Sequence, residues 1–301
     1  MDFCSDLIAQ LTEPASLALV KQIQFQPMMT PLQSAAIATA YVGLGQAHQR
    51  TPFLLLSGFD SSLLEFRRLL PLLADSHPTW GIDLLGFGFT DRPAGLAFSP
   101  DTIKTHLYHC WRTLINQPVI LVGASMGGAA AIDFALTYPA AVQKLVLIDS
   151  AGFNPGPTVG KFLIPPLGWL ATSFLRSPKV RQNISLNAYY DPSFASPDAQ
   201  LCAALHLGAP GWRQALISFT RSGGYGSFRA RLAELRSPTL IVWGESDRIL
   251  GTADAEPFQR SIPTSKLIWI PNCGHVPHLE CPRATATGIL DWLGDEGADA
   301  L

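Results

Sequence analysis

Ser125 stands in the run Gly123-Ala124-Ser125-Met126-Gly127-Gly128, directly after the apolar stretch Pro118–Val122 and directly before the helix-forming stretch Ala129–Leu136. A serine on a tight turn between a strand and a helix projects its hydroxyl above the sheet, and the residues flanking it must be small to avoid collision. Gly123, Gly127 and Gly128 supply that room. The chemistry this setting suits is nucleophilic attack on a carbonyl, with the helix N-terminus facing the oxygen that gains charge. The N–H of Met126 is the natural first donor to that oxyanion, and the N–H of Phe59, in Ser57-Gly58-Phe59-Asp60-Ser61-Ser62, is the candidate second donor. The plainer reading of this second loop is a strand-to-helix turn capped by Ser61 or Ser62, and both readings can hold together.

A serine hydroxyl is a poor nucleophile at neutral pH, so a histidine must take its proton and a carboxylate must orient the histidine. Where the serine occupies such a turn, the acid and then the histidine follow it in the chain. Of the seven histidines only His275 and His278 lie beyond the last expected strand. His275 is favoured because it directly follows Gly274, which frees the loop, and His278 reads as a helper or a packed loop residue. Asp247 follows the strand-like run Leu240–Trp243 and is the expected acid, with Asp149 at the end of the preceding strand as its competitor and Glu245 as a loop neighbour. Ser125, Asp247 and His275 are therefore the expected catalytic residues.

These residues need a sheet to hold them. Short apolar runs alternate with amphipathic stretches, the pattern of a mostly parallel sheet flanked by helices. Strands are expected near residues 36–42, 53–57, 79–83, 119–123, 145–149, 239–243 and 266–270. The alternation stops after Asp149 and resumes at Thr239, a gap too long for one loop. We expect a core from 1–151 and 223–301 interrupted by a helical cap over 152–222, entered through the Pro- and Gly-rich stretch 153–160 and left by a helix near 211–221. The stretch 162–175 is apolar almost throughout and is flanked by Lys161, Arg176, Lys179 and Arg181. It is too short to span a bilayer, and suits either a buried cap helix or a lid that touches lipid.

The 301 residues, 48% of them hydrophobic, suffice for a substantial core, and a net charge of −2 gives no field that would recruit nucleic acid. Five scattered cysteines without a C-x-x-C pair argue for a reducing compartment and against a structural metal. His106 and His109 share a helical spacing, but no carboxylate or cysteine grouping joins them, so a solvated or cap-facing helix surface is the better reading. The start MDFCSDLIAQ lacks a secretory pattern, which places the expected mature start near Met1. Asp83–Pro93 lacks the third glycine of a dinucleotide fingerprint, and no Walker-type loop occurs. A mean hydropathy of +0.20 with only 15% charged residues leaves an apolar substrate or lipid contact open.

From about Ala36 onward these residues resemble the α/β-hydrolase superfamily. Within it, LLLSGFDSSLLEFRRLLPLL, HLYHCWRTLINQPVILVGASMGGAAAIDFAL, SFTRSGGYGSF and NCGHVPHLECP are similar to the chlorophyll dephytylases of plant plastids and their cyanobacterial relatives. The resemblance implies an α/β-hydrolase fold with an inserted helical cap and Ser125, Asp247 and His275 as the triad. It further implies cofactor-free hydrolysis of the phytyl ester of chlorophyll to chlorophyllide and phytol. The setting it implies is intracellular, peripheral at the thylakoid membrane or otherwise cytoplasmic, with membrane contact through the cap. One departure is Ser57, where relatives usually carry histidine. The triad alone is equally compatible with an esterase or lipase for another apolar ester, and the fold alone with a non-catalytic binding protein.

Overall fold

The computed structural model describes residues 5–46, 49–156 and 167–298. Its strands are β1 (Gln24–Thr30), β2 (Gln33–Leu44), β3 (Phe53–Leu56), β4 (Thr79–Ile82), β5 (Val119–Ala124), β6 (Val142–Ile148), β7 (Thr239–Gly244) and β8 (Ser265–Ile270). They form one sheet in the order β1-β2-β4-β3-β5-β6-β7-β8. The β1–β2 and β2–β4 pairings are antiparallel and all the others parallel. This is the α/β-hydrolase arrangement, a mostly parallel sheet flanked by helices.

The central strands are short and apolar because both of their faces are covered. In β3, Leu54 and Leu56 pack into one core with the helices Pro100–Leu114 and Met126–Thr137, while Phe53 and Leu55 pack into the other with the helix Leu69–Ala74 and with Ile289 and Trp292. The seven expected strands match observed ones to within a few residues, and β1 is an addition. β1 begins QFQP, is exposed over most of its length and pairs only with β2, so it carries neither a continuous apolar run nor a proline-free ladder. An edge position tolerates both.

Between β6 and β7 the longer described elements are all helical: Leu167–Arg176, Pro178–Ala188, Pro197–Ala204 and Trp212–Ser222. The last is the returning helix anticipated near 211–221. The expected linker is described only up to residue 156, and Lys161 and the apolar residues 162–166 lie outside the described residues. In the helix Leu167–Arg176 only Gly168 and Thr172 are buried, and Leu167, Trp169, Leu170 and Phe174 are exposed. A fully buried cap helix is therefore not what forms here. Among the described residues no helix is long and apolar enough to cross a membrane.

The strand order reverses between β3 and β5: β4 lies on one side of β3 and β6 on the far side of β5. A crevice opens beyond the carboxyl ends at such a point, and both candidate oxyanion loops leave from it.

Candidate active site

Ser125 follows β5 with φ of 52° and ψ of −120° and begins the helix Met126–Thr137. Such a backbone is strained for a side chain with a Cβ, and it persists because the surroundings over-determine it. The Ser125 N–H donates to the Ile148 carbonyl at 3.0 Å, and its own carbonyl accepts from Gly128 at 2.9 Å and Ala151 at 3.0 Å. The glycines at this turn are required by close approach. A Cβ on Gly127 would strike the Leu56 carbonyl at the end of β3, and one on Gly123 would strike Gly127. The helix can thus be drawn down onto the sheet, bringing its N-terminus to the crevice.

His275 Nδ1 lies 2.9 Å from Asp247 Oδ2. A carboxylate only accepts, so Nδ1 carries the proton and Nε2 keeps the lone pair that a general base needs. Asp247 is itself held from behind, its Oδ1 accepting the N–H groups of Ile249 at 2.7 Å and Leu250 at 3.1 Å. The His275 N–H donates to the Ala188 carbonyl at the end of a cap helix at 2.7 Å, which fixes the histidine loop against the cap. Ser125 and His275 both line a cavity of about 290 Å³.

Gly58 and Phe59 line the same cavity. A Cβ on Gly58 would lie 3.4 Å from the Ser125 Cβ, so this loop runs directly past Ser125. The Gly58 N–H donates to Glu65 Oε2 at 2.8 Å, and Glu65 Oε1 is 3.1 Å from His278 Nε2. Burial pushes the Glu65 carboxyl up, but His278 and the Gly58 N–H outweigh it and hold it below its ordinary range. His278 therefore belongs to a support beneath the oxyanion loop, while His275 meets the acid. Ser57, at the start of this loop, is buried with its hydroxyl unpartnered.

Asp60, next in the loop, ties it to the cap. It accepts Arg181 Nη1 at 2.8 Å and Trp212 Nε1 at 2.7 Å, and lies 3.1 Å from His206 Nε2. Burial raises this carboxyl, and His206, Arg181 and Trp212 together hold it below its usual range. Glu280 makes a second tie, accepting the N–H groups of Gly274 at 2.7 Å, Tyr190 at 3.0 Å and Asp191 at 2.8 Å. These two carboxylates, and Glu65 as the partner of His278, are supports that sequence reasoning missed, whereas His278 has the helper place expected of it.

Asp149, the competing acid, does not take the histidine. It ends β6 and accepts the Gly244 N–H at 3.1 Å. It sits beside the Asp247–His275 pair, with side-chain atoms of Asp149, Asp247 and His275 all within 4.8 Å of one another. His275 Nδ1 and Asp247 Oδ2 are spent on each other, while Asp149 Oδ2 is buried with no donor to accept from. Glu245 is a neighbour in the loop, its N–H donating to Ile270. His106 is not on the solvated or cap-facing surface expected of it but buried, bonding Thr39 Oγ1 at 2.9 Å, and His109 stacks edge-on against Tyr108 at 5.7 Å.

Beyond Ser125 and His275 the cavity wall is mostly apolar, with Leu175, Ile184 and Ala188 from the cap and Ile249, Val276 and Leu279 from the core loops, and Asp60, Glu65, Arg67 and Arg181 also reach it. Ile184 and Ile249 also line a shallow surface groove that runs on past Phe174. The groove, lined also by Val180, Asn183, Asn187 and Arg248, adjoins the cavity across these two side chains at the cap surface.

Comparison with known proteins agrees with this architecture. A family model described as the alpha/beta hydrolase family matches residues 53–287. The alpha/beta hydrolase domain-containing protein VTE7 of Arabidopsis thaliana is 32% identical over 290 residues, covering 95% of this chain and 88% of that protein. Lipase 1 of Psychrobacter immobilis is 28% identical over 248 residues, covering 78% of this chain and 74% of the lipase. Among solved structures, a meta-cleavage product hydrolase of Pseudomonas fluorescens superposes with a TM-score of 0.75 at 22% identity, covering 92% of this chain and 99% of that one. From the extent of the family match and of the likeness to VTE7, the chain belongs to the alpha/beta hydrolase family.

Proposed function

We propose that this hydrolase is a serine carboxylic ester hydrolase that removes the phytyl chain from chlorophyll at a membrane surface. The observation that carries this reading is the mostly apolar cavity at Ser125, which adjoins, across Ile184 and Ile249, a surface groove bordered by the exposed Phe174 of the cap. At about 290 Å³ the cavity is at the lower end of small-molecule pockets, ~300–1,000 Å³. It suits the scissile ester and part of a long alkyl chain, with the remainder lying along the groove.

In this mechanism His275 Nε2 takes the Ser125 proton as Oγ attacks the ester carbonyl, and Asp247 stabilises the imidazolium that results. The N–H groups of Met126 and Phe59 receive the oxyanion. Phytol leaves with the proton from His275, and the pigment remains as an acyl group on Ser125. Water, deprotonated by the same histidine, releases chlorophyllide and restores the serine. No step calls for a metal or cofactor.

The lipid side of the proposal is carried by Trp169, Leu170 and Phe174, which are 56%, 64% and 64% exposed, with Arg176 and Lys179 close in sequence. Apolar side chains flanked by cations suit a membrane interface. Peripheral attachment there, at the thylakoid for a pigment substrate, brings the groove to the bilayer. The lipase relative favours a second reading, hydrolysis of another long-chain ester by the same triad.

Incubating the purified protein and its Ser125→Ala variant with detergent-dispersed chlorophyll a, and separating the products chromatographically, distinguishes the two. Chlorophyllide and phytol formed only with Ser125 present is the expected result. No pigment product beside serine-dependent cleavage of a long-chain acylglycerol would replace chlorophyll with that ester class.

A further inference from the structure

Asp149 and Asp247 are two buried carboxylates side by side at the carboxyl ends of neighbouring parallel strands. Asp247 is well supplied with donors: the N–H groups of Ile249 and Leu250 on Oδ1 and His275 Nδ1 on Oδ2. Asp149 receives only the Gly244 N–H, on Oδ1, and its Oδ2 is buried with no donor to accept from. Two adjacent anions in a dry setting repel, so one proton stays with the pair. It resides where the anion is least supported, on Asp149 Oδ2, and there it turns an orphaned acceptor into a donor.

We propose that Asp149 is a positioning residue that keeps its carboxyl proton at neutral pH and donates it to the Asp247 carboxylate. This rests on the triad of the proposed function but not on the identity of the ester. Asp247 then receives four hydrogen bonds, and the oxygen facing His275 cannot swing away as the imidazolium forms. Burial, and next the charge of Asp247, push the Asp149 carboxyl well above its ordinary value, in agreement with this arrangement. The other titratable groups close to it are His275, whose Nδ1 faces Asp247, and Cys273, whose thiol burial pushes up and keeps neutral. No cation faces Asp149 in this group to hold it ionised.

The arrangement makes Asp149→Asn a near-faithful substitute, since its amide can donate to Asp247 and its carbonyl can accept from Gly244 at every pH. Asp149→Ala lacks both functions. The test is the pH profile of p-nitrophenyl butyrate hydrolysis by native enzyme, Asp149→Asn, Asp149→Ala and Ser125→Ala, with melting temperatures recorded alongside. The expected results are kcat within about threefold of native for the Asn variant at pH 7, and a drop of at least tenfold at little-changed KM for the Ala variant. The native enzyme should lose rate on the alkaline side as Asp149 ionises, and the Asn variant should lack that fall. If the Ala variant does not fold, the comparison of native and Asn profiles decides alone. An Asn variant that loses tenfold or more at pH 7, or that keeps the native alkaline fall, overturns the proposal. Turnover persisting in Ser125→Ala would instead overturn the triad itself, so the two failures are distinguishable.

Discussion

The catalytic floor and the helices above it are built from opposite materials. On the floor, Asp247, His275, Glu65 and Glu280 are buried or nearly so, and each carboxylate accepts hydrogen bonds from more than one partner or from a histidine. In the cap, the helix Pro178–Ala188 has no buried residue and the helix before it exposes most of its apolar side chains. A hydrogen-bonded floor holds reacting atoms in one geometry, whereas an exposed apolar roof selects by contact area and can yield to what it touches. Hydrogen bonds tie the two together through Asp60–Arg181, Glu280 and His275–Ala188, and the later part of the cap, with Leu205, Trp212, Leu216 and Phe219, packs into the cores beneath.

Cutting one of those ties gives the largest expected effect. Glu280→Ala leaves three N–H groups without their acceptor, at about 1–3 kcal/mol for each group that stays buried and unpaired. The expected loss is about 3 kcal/mol or more, seen as a drop of roughly 6 °C or more in melting temperature. A drop of under about 2 °C would mean that water replaces the carboxylate and that floor and roof are joined elsewhere.

Below the floor, acid should act through His106. Burial lowers its pKa from 6.5 to about 4. The unfolded chain takes up a proton near pH 6.5 that the folded chain refuses until about pH 4, so stability is full above 6.5 and falls as pH drops through this window. The loss is about 3 kcal/mol in all. Urea unfolding at pH 7 and pH 4.5 should show His106→Gln markedly less acid-sensitive than the native protein. Equal sensitivity would assign the effect to other groups.

The roof predicts a different pattern. Replacing Leu170 and Phe174 by serine should leave p-nitrophenyl butyrate hydrolysis within about twofold, while affinity for vesicles falls by roughly tenfold or more from lost apolar burial. Reduced turnover of the soluble ester with unchanged vesicle binding would reverse these assignments. The smallest effect is expected at Ser57, whose buried hydroxyl has no partner. Ser57→Ala should change stability by no more than about 0.5 kcal/mol in denaturant titration, with kcat unchanged. A larger loss would reveal a hydrogen bond made during turnover.

The same contrast explains what could be read from the sequence. Gly123–Gly128 announces its turn because strand, glycines and helix are contiguous, and the end of a branched apolar strand marks Asp247. The expected strands were legible because their faces are both buried. β1 was not, since an exposed edge with Pro27 leaves only weak alternation. Supports that join distant residues leave no local pattern: Glu65 and His278 are 213 positions apart, and Asp60 and His206 are 146 apart. Asp149 and Asp247 looked like alternatives because each ends a strand. Adjacent parallel strands instead bring both to one place, with only Asp247 hydrogen-bonded to the histidine.

The central claim is that Ser125 is an activated nucleophile served by His275 and Asp247. It is tested most directly by treating the native protein, Ser125→Ala and His275→Ala with a fluorophosphonate and locating the adduct by peptide mass spectrometry. The account predicts a single adduct on Ser125 in the native protein, none in Ser125→Ala, and labelling slowed at least a hundredfold in His275→Ala. An adduct on another residue, or native-like labelling without His275, would contradict it.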